Sequence, residues 1–240
     1  MKNLKRKFKK KIIGRRMPGF LASIYEKAAR MVINSYYVPI AEEVIAELSQ
    51  IRNIDHETEI RILDVGTGPG YLPIEIAKRV QNIRIYGIDS ISKSIKMAKT
   101  NAAKAGVGDR VNFEVGDAAK LQFMENFYDM IISTGVLHEL KDPIKVLNEF
   151  YRVLKPGGKV FIHDPARVSS GIDKKKWIAS FKRWEKIIYK FFTIFCEFKP
   201  PHTYSQEEAK EIIAATNFKQ YQVEEYWVEG SRELKIKLRK

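Results

Sequence analysis

"ILDVGTGPGYLPIEIA", Ile62 to Ala77, sets a short apolar run against three alternating glycines, with a helical pattern directly behind them. RILDVG is β-rich and ends in glycine, so it reads as a buried strand. YLPIEIAKRV reads as a helix with Pro73 in its first turn, where the missing N–H costs nothing. Strand, tight turn and helix in this order open a parallel α/β unit. Gly66, Gly68 and Gly70 permit positive φ and let a ligand approach the backbone. Asp64 stands at the mouth of the loop, which carries no Lys or Arg, and a carboxylate there opposes a pyrophosphate. The dinucleotide fingerprint G-x-G-x-x-G is not met, because the third glycine comes one residue early and position 71 is Tyr. No Gly-Lys-Ser/Thr follows, so the loop is not a P-loop either.

Working outward, the rhythm repeats. IRIYGID is a second strand, and SKSIKMAKTNAAKAG is a helix stopped by Gly106. RVNFEVGD and YDMIIST read as the third and fourth strands. PIKVLNEFYRVLK is predicted to be a helix with Ile144, Leu147, Phe150 (or Tyr151) and Leu154 on its apolar stripe, closed by Pro156-Gly157-Gly158. KVFIHD is a fifth strand. In TYSQEEAKEIIAATNF, Ser205 with Glu208 forms a capping box that starts another helix. QYQVEEYW and RELKIKLRK, separated by VEGS, form a closing hairpin and hence an antiparallel pair at one edge. Upstream, Tyr25 to Ile51 reads as one or two leading helices. Alternating strands and helices require a parallel sheet covered on both faces, and right-handed crossovers make it doubly wound.

In such a sheet, ligands lie beyond the carboxyl ends of the strands. Asp89 ends the second strand, where an acid can accept bonds from two ribose hydroxyls. Asp117, in GDAAKL, ends the third, where a carboxylate could take an exocyclic amine. Three acids at three strand ends, without a phosphate-binding cation, point to a nucleoside carrying a positive sulfonium.

At these residues the sequence resembles the Rossmann-like, class I S-adenosylmethionine-dependent methyltransferases. LDVGTGPG resembles that family's D-x-G-x-G-x-G loop, GIDSI its ribose-binding strand end, and VGDAAKL its adenine-contacting segment. The stretch from Phe127 to Pro165 is similar to the small-molecule branch that includes the ubiquinone/menaquinone methyltransferases. The resemblance implies a mostly parallel seven-stranded sheet of order 3-2-1-4-5-7-6 with an antiparallel edge strand and a helical insertion after strand 5. It implies S-adenosylmethionine as cofactor, S-adenosylhomocysteine as product and no metal. The contacts it implies are Asp64, Gly66, Gly68 and Gly70 on the loop, and Asp89 with Ser90. Asp117, Ala118 and Ser133 follow further along, with Tyr37 toward the methionine end.

Methyl transfer from a sulfonium is an in-line displacement, and positioning supplies ~7–11 kcal/mol of its barrier. A general base adds about 10²–10⁴-fold where the acceptor must lose a proton. His138, just after the fourth strand, is the candidate base, set against a packing or capping role. His163 and Asp164 end the fifth strand at the same rim and are candidates for shaping the acceptor pocket. Ser133-Thr134-Gly135-Val136 replaces the Asn/Asp-Pro-Pro-Tyr/Phe string common in methylases acting on nucleobase amines. A single cysteine, Cys196, excludes the arsenic-methylating branch, a multi-cysteine zinc site and an internal disulfide, and suits a reducing cytoplasm.

The chain has 240 residues and a net charge of +14. Nine Lys or Arg lie between Lys2 and Arg16 with no acid among them, so the rest is a nearly balanced body. Residues 1–20 are therefore expected to be a basic arm. Residues 21–240 are expected to be one methyltransferase domain with a helical cap at about 166–202. The arm could give weak contact with nucleic acid or anionic membrane. Lys174 to Lys199 reads as a basic amphipathic helix that packs on the core, roofs the acceptor pocket or rests on anionic lipid. The expected acceptor is a small molecule. The alternatives are an RNA methyltransferase that uses the arm, and a non-catalytic cofactor-binding module.

Overall fold

The computed structural model describes residues 33–49, 59–167, 203–228 and 231–240. The basic arm, Tyr25 and the 174–199 segment lie outside these residues.

One π-helical turn, Ile33–Tyr37, leads into α1, Val38–Leu48. There follow β1 (Ile60–Val65), α2 (Tyr71–Arg79), β2 (Ile83–Asp89), α3 (Ser92–Lys104), β3 (Val111–Val115) and β4 (Tyr128–Thr134). Then come α4 (Pro143–Val153), β5 (Leu154–Pro165), α5 (Gln206–Ala214), β6 (Gln220–Val228) and β7 (Ser231–Arg239). The seven strands lie in the order β3-β2-β1-β4-β5-β7-β6, as the resemblance implied. Pairings from β3 across to β5 are parallel, and β7 runs antiparallel to both β5 and β6.

Apolar alternation explains the two layers. On β1, Ile62 turns to one face and Leu63 to the other, and both are fully buried. Ile62, Ile85, Ile132 and Phe161 pack against α1, α2 and α3 through Val44, Ile76 and Ala98. Leu63, Ile131, Val160 and Ile162 pack against α4 and α5 through Leu147, Phe150 and Ile212. A sheet buried on both faces reads as continuous apolar runs, which is why the strands were legible. The capping box of Ser205 and Glu208 starts α5 as expected. Asp142, with Pro143 behind it, starts α4 by accepting the Lys145 N–H at 3.0 Å.

One boundary is corrected. The α4 helix ends at Val153, before Pro156-Gly157-Gly158, which lies inside β5. The carbonyls of Arg152 and Val153 are taken by the N–H groups of Asn126 and Phe127 at 3.1 and 2.8 Å. Leu154 pairs at once with Tyr128, while Met130 pairs with Lys159, so the Pro-Gly-Gly residues form a bulge. Tertiary pairing, not the glycines, stops the helix.

The strand order reverses between β1 and β4, which opens a crevice at their carboxyl ends. The glycine loop leaves β1 there, and the 134–139 segment leaves β4 beside it. Among the described residues, no helix is long and apolar enough to cross a membrane.

Candidate functional site

The glycine turn is built by hydrogen bonds to the neighbouring strand. Gly66 N–H and Thr67 N–H both donate to the Ile88 carbonyl, at 2.8 and 3.0 Å. Gly66, Gly68 and Gly70 take φ of 75°, 52° and 80°. A Cβ on Gly66 would stand 2.2 Å from Val136 Cγ2, so the segment after β4 closes over the turn. A Cβ on Gly68 would meet nothing within 4 Å, which leaves that backbone open to a ligand. Asn101 of α3 holds the Pro69 carbonyl at 2.9 Å, a support no motif announced.

The predicted acids converge unequally. Asp89 accepts the Gly68 N–H at 3.0 Å through Oδ2 and the Ile91 N–H at 2.8 Å through Oδ1. Burial raises its pKa, and these two N–H groups pull it back. Each oxygen keeps a further lone pair for a hydroxyl. Gly116 N–H reaches the Asp89 carbonyl at 3.0 Å and so brings the end of β3 alongside. There Asp117 is exposed and shapes its own turn by accepting the Ala119 N–H at 2.9 Å, while Ala118 is half-buried. Ser90 is exposed at the end of β2.

Asp64 is different, being 1% exposed with Oδ1 in no hydrogen bond. Burial pushes its carboxyl up to about 7; Thr67 nearby works against this, and repulsion by Asp89 adds to it. By strict geometry the Thr67 hydroxyl closes no hydrogen bond, although it is the neighbour that most opposes the effect of burial. Ser133 is buried and donates its hydroxyl to the Val65 carbonyl at 2.9 Å, fastening β4 to β1. Tyr37 leans on Tyr71, with ring centroids 5.7 Å apart. Tyr71 is the first residue after Gly70, which puts Tyr37 at the exit of the loop.

His138 sits buried in a single 3₁₀ turn, Leu137–Glu139, directly after β4. Thr134, the last residue of β4, pairs with His163, and β5 runs on through Asp164 to Pro165 beside the 3₁₀ turn. Asp164, fully buried on β5, accepts the His138 backbone N–H at 3.0 Å. His138 Nδ1 lies 3.1 Å from each Asp164 oxygen. With Asp164 as carboxylate, Nδ1 carries the proton and the basic lone pair falls on Nε2, 3.9 Å from Glu139 Oε1.

Strand alternation turns His163 to the opposite face, away from His138. Its Nδ1 bonds the Tyr226 hydroxyl, and its Nε2 lies 3.6 Å from Glu43 Oε2. Burial lowers its pKa, and Glu43 partly offsets that. The sequence placed His163 and Asp164 at one rim but could not show that only Asp164 joins His138.

A turn whose backbone is open at Gly68, a half-buried acid with spare lone pairs and a buried carboxyl suit a hydroxylated nucleoside bearing positive charge. Among the described residues, no Lys, Arg or His pairs with Asp64, Asp89 or Asp117 in a salt bridge.

Comparison with known proteins agrees with this chemistry. The family described as "methyltransferase domain" matches residues 56–220. The ubiquinone/menaquinone biosynthesis C-methyltransferase of Geotalea daltonii is 29% identical over 178 residues, covering 72% of this chain and 76% of that one. The demethylmenaquinone methyltransferase of Lactiplantibacillus plantarum is 29% identical over 164 residues, covering 66% of this chain and 68% of the other. A SAM-dependent methyltransferase structure from Aquifex aeolicus shares the fold at a TM-score of 0.63 and 20% identity, covering 93% of this chain and 98% of that one.

Proposed function

The chain belongs to the methyltransferase-domain family, with the class I S-adenosylmethionine-dependent fold, and from that membership we propose that it methylates a small molecule held beside His138. When bound, S-adenosylmethionine supplies a methyl group already activated by its sulfonium. The chain's own residues then have three tasks.

The first is to hold the cofactor. In this reading Gly66 to Gly70 offer backbone, Asp89 with Ser90 takes the ribose hydroxyls, and Asp117 with Ala118 takes the base. Ser133 fixes the floor, and Tyr37 closes the methionine end. The second is to align the acceptor in line with the methyl, which supplies most of the rate. The third is to move a proton. His138 Nε2 accepts it from the acceptor while Asp164 holds the ring and steadies the imidazolium that forms. Because the methyl arrives activated, the donor needs no metal to activate it. The observation that supports a base is the buried Asp164 gripping both the backbone and the ring of His138.

Incubation with methyl-labelled cofactor and a cell extract, fractionated into small molecules, lipid, RNA and protein, tests the reading. Label in the small-molecule or lipid fraction is expected. Label in RNA would favour the alternative in which the basic arm, nine cations between Lys2 and Arg16, grips phosphates. Cofactor binding without label anywhere would leave a binding module.

A further inference from the structure

Three acids stand at neighbouring strand ends, and the fold treats one of them differently. Asp89 spends an oxygen on each of two backbone N–H groups, and Asp117 spends one on its own turn. Asp64 is more deeply buried than either, yet its Oδ1 and the adjacent Thr67 hydroxyl are both buried without a hydrogen-bond partner among the described residues. Buried polar atoms are almost always satisfied, and an exception beneath an open glycine turn marks a place kept for something else. A buried carboxylate without a cation is unfavourable, and the carboxylic acid is the form such a place tolerates.

Resting on the S-adenosylmethionine reading, we propose that Asp64 reads the positive charge of the cofactor: it binds that charge as a carboxylate and releases a proton to solvent as it does so. In the free protein below about pH 7 Asp64 is mostly the acid. When the cofactor enters, the carboxyl O–H bond breaks, the proton passes to buffer, and the carboxylate faces the cation. The reverse occurs on departure. No electrons change hands and no other reactant is needed.

The surroundings leave Asp64 as the group that responds. Burial pushes its carboxyl up to about 7, and Asp89 is the neighbour whose charge it feels. Of the acids on the helices packed against that face, Glu42 is exposed to solvent and the other three are held by cations. On α1, Glu43 has Lys235 and Glu47 has Lys159 and Lys237. On α2, Glu75 has Lys78 and Arg79. The α3 helix brings no acid. From β4, Ser133 is turned to the Val65 carbonyl. The π-helical turn and α2 carry Tyr36, Tyr37 and Tyr71, whose rings pack on one another.

Calorimetric titration of the full chain with S-adenosylmethionine, in buffers of differing ionisation enthalpy, tests this. Relative to Asp64→Asn, the wild type should release about 0.9 proton at pH 6, about 0.5 at pH 7 and about 0.1 at pH 8. Its affinity should be about tenfold weaker at pH 6 than at pH 8, and that dependence should vanish in Asp64→Asn. Asp89→Asn should retain a proton release, displaced to lower pH because the Asp89 charge no longer raises the Asp64 carboxyl. Where Asp64→Asn fails to fold or bind, carbon NMR of the aspartate carboxyls in the wild type decides. Asp64 should titrate with a midpoint near 7 when free, and stay ionised from pH 6 to 8 when bound. Release unchanged in Asp64→Asn, or a free midpoint near 4, overturns the inference while the cofactor reading stands. Absence of any binding overturns the cofactor reading itself, and the inference with it.

Discussion

Asp64 and Glu43 stand on the same face of the sheet, and the fold treats their charges in opposite ways. Asp64, at the end of β1, meets no cation among the described residues, and burial pushes its carboxyl up to about 7. Glu43, on α1, also suffers from burial, but His163 and Lys235 hold its carboxyl down to about 2. Around Glu43 the pairing is dense. Lys159 and Lys237 meet the two oxygens of Glu47 at 2.7 and 2.6 Å, and Lys235 caps Glu43. Lys237 lies over the Phe161 ring, 5.6 Å from its centroid, so the lysine stem also covers apolar surface. The α1–β7 side is a finished structural joint. The glycine-loop side is left incomplete, and incompleteness at a strand end is what a cationic ligand can use.

Variants on the two sides should therefore fail differently. The largest effect is expected at the proposed base. His138→Ala should lower turnover by about 10²–10⁴-fold with cofactor affinity kept. The measurement is kcat across pH 6 to 9, and an intact rate across that range removes His138 as a base. Asp164→Asn should cost nearly as much, because it favours the wrong tautomer.

Next is the stability of the free protein. A group whose folded pKa is raised contributes stability below its unfolded value, near 4, and loses that contribution as pH rises to about 7. Asp64→Asn should therefore be more stable than wild type by roughly 2–4 kcal/mol at pH 8, with little difference at pH 4. Urea unfolding at the two pH values measures it. A less stable variant at pH 8 would mean that the carboxylate has a partner in the free protein.

Asp89→Ala should weaken S-adenosylmethionine binding at least tenfold, about 1.4 kcal/mol, since each bond to a charged group is worth roughly 1.5–3 kcal/mol. Unchanged affinity in calorimetry would reject the ribose assignment.

The smallest effect lies across the sheet. Glu43→Gln should leave cofactor affinity unchanged and cost about 1 kcal/mol, modest because the pair is partly solvated and salt-screened. Its sign with pH is the reverse of that for Asp64. Glu43 is depressed to about 2, so its contribution is present above its unfolded value, near 4.5, and is lost as pH falls toward 2. Acid unfolding of wild type and variant should converge there.

Much of the fold was legible because both sheet faces are apolar and the turns are punctuated by glycine. The Pro156-Gly157-Gly158 stop misled because strand pairing at Leu154 outranks local turn chemistry. In the site, the glycine loop and the acids could be read from spacing alone. The grip of Asp164 on His138 could not, because which of two successive strand residues faces a loop depends on register. The Glu43–Glu47 ladder did leave a signal. Two acids four apart on a helix and lysines at 235 and 237, two apart on a strand, each share one face. Only the packing of α1 across β7 could join the two periods.

The central claim is that strand-end carboxylates around a bare glycine turn select a positively charged nucleoside over a phosphorylated one. Titration of the full chain with S-adenosylmethionine and, separately, with NAD tests it most directly. The account predicts saturable binding of the first and none of the second. NAD bound as tightly as S-adenosylmethionine, or bound in its place, would contradict it.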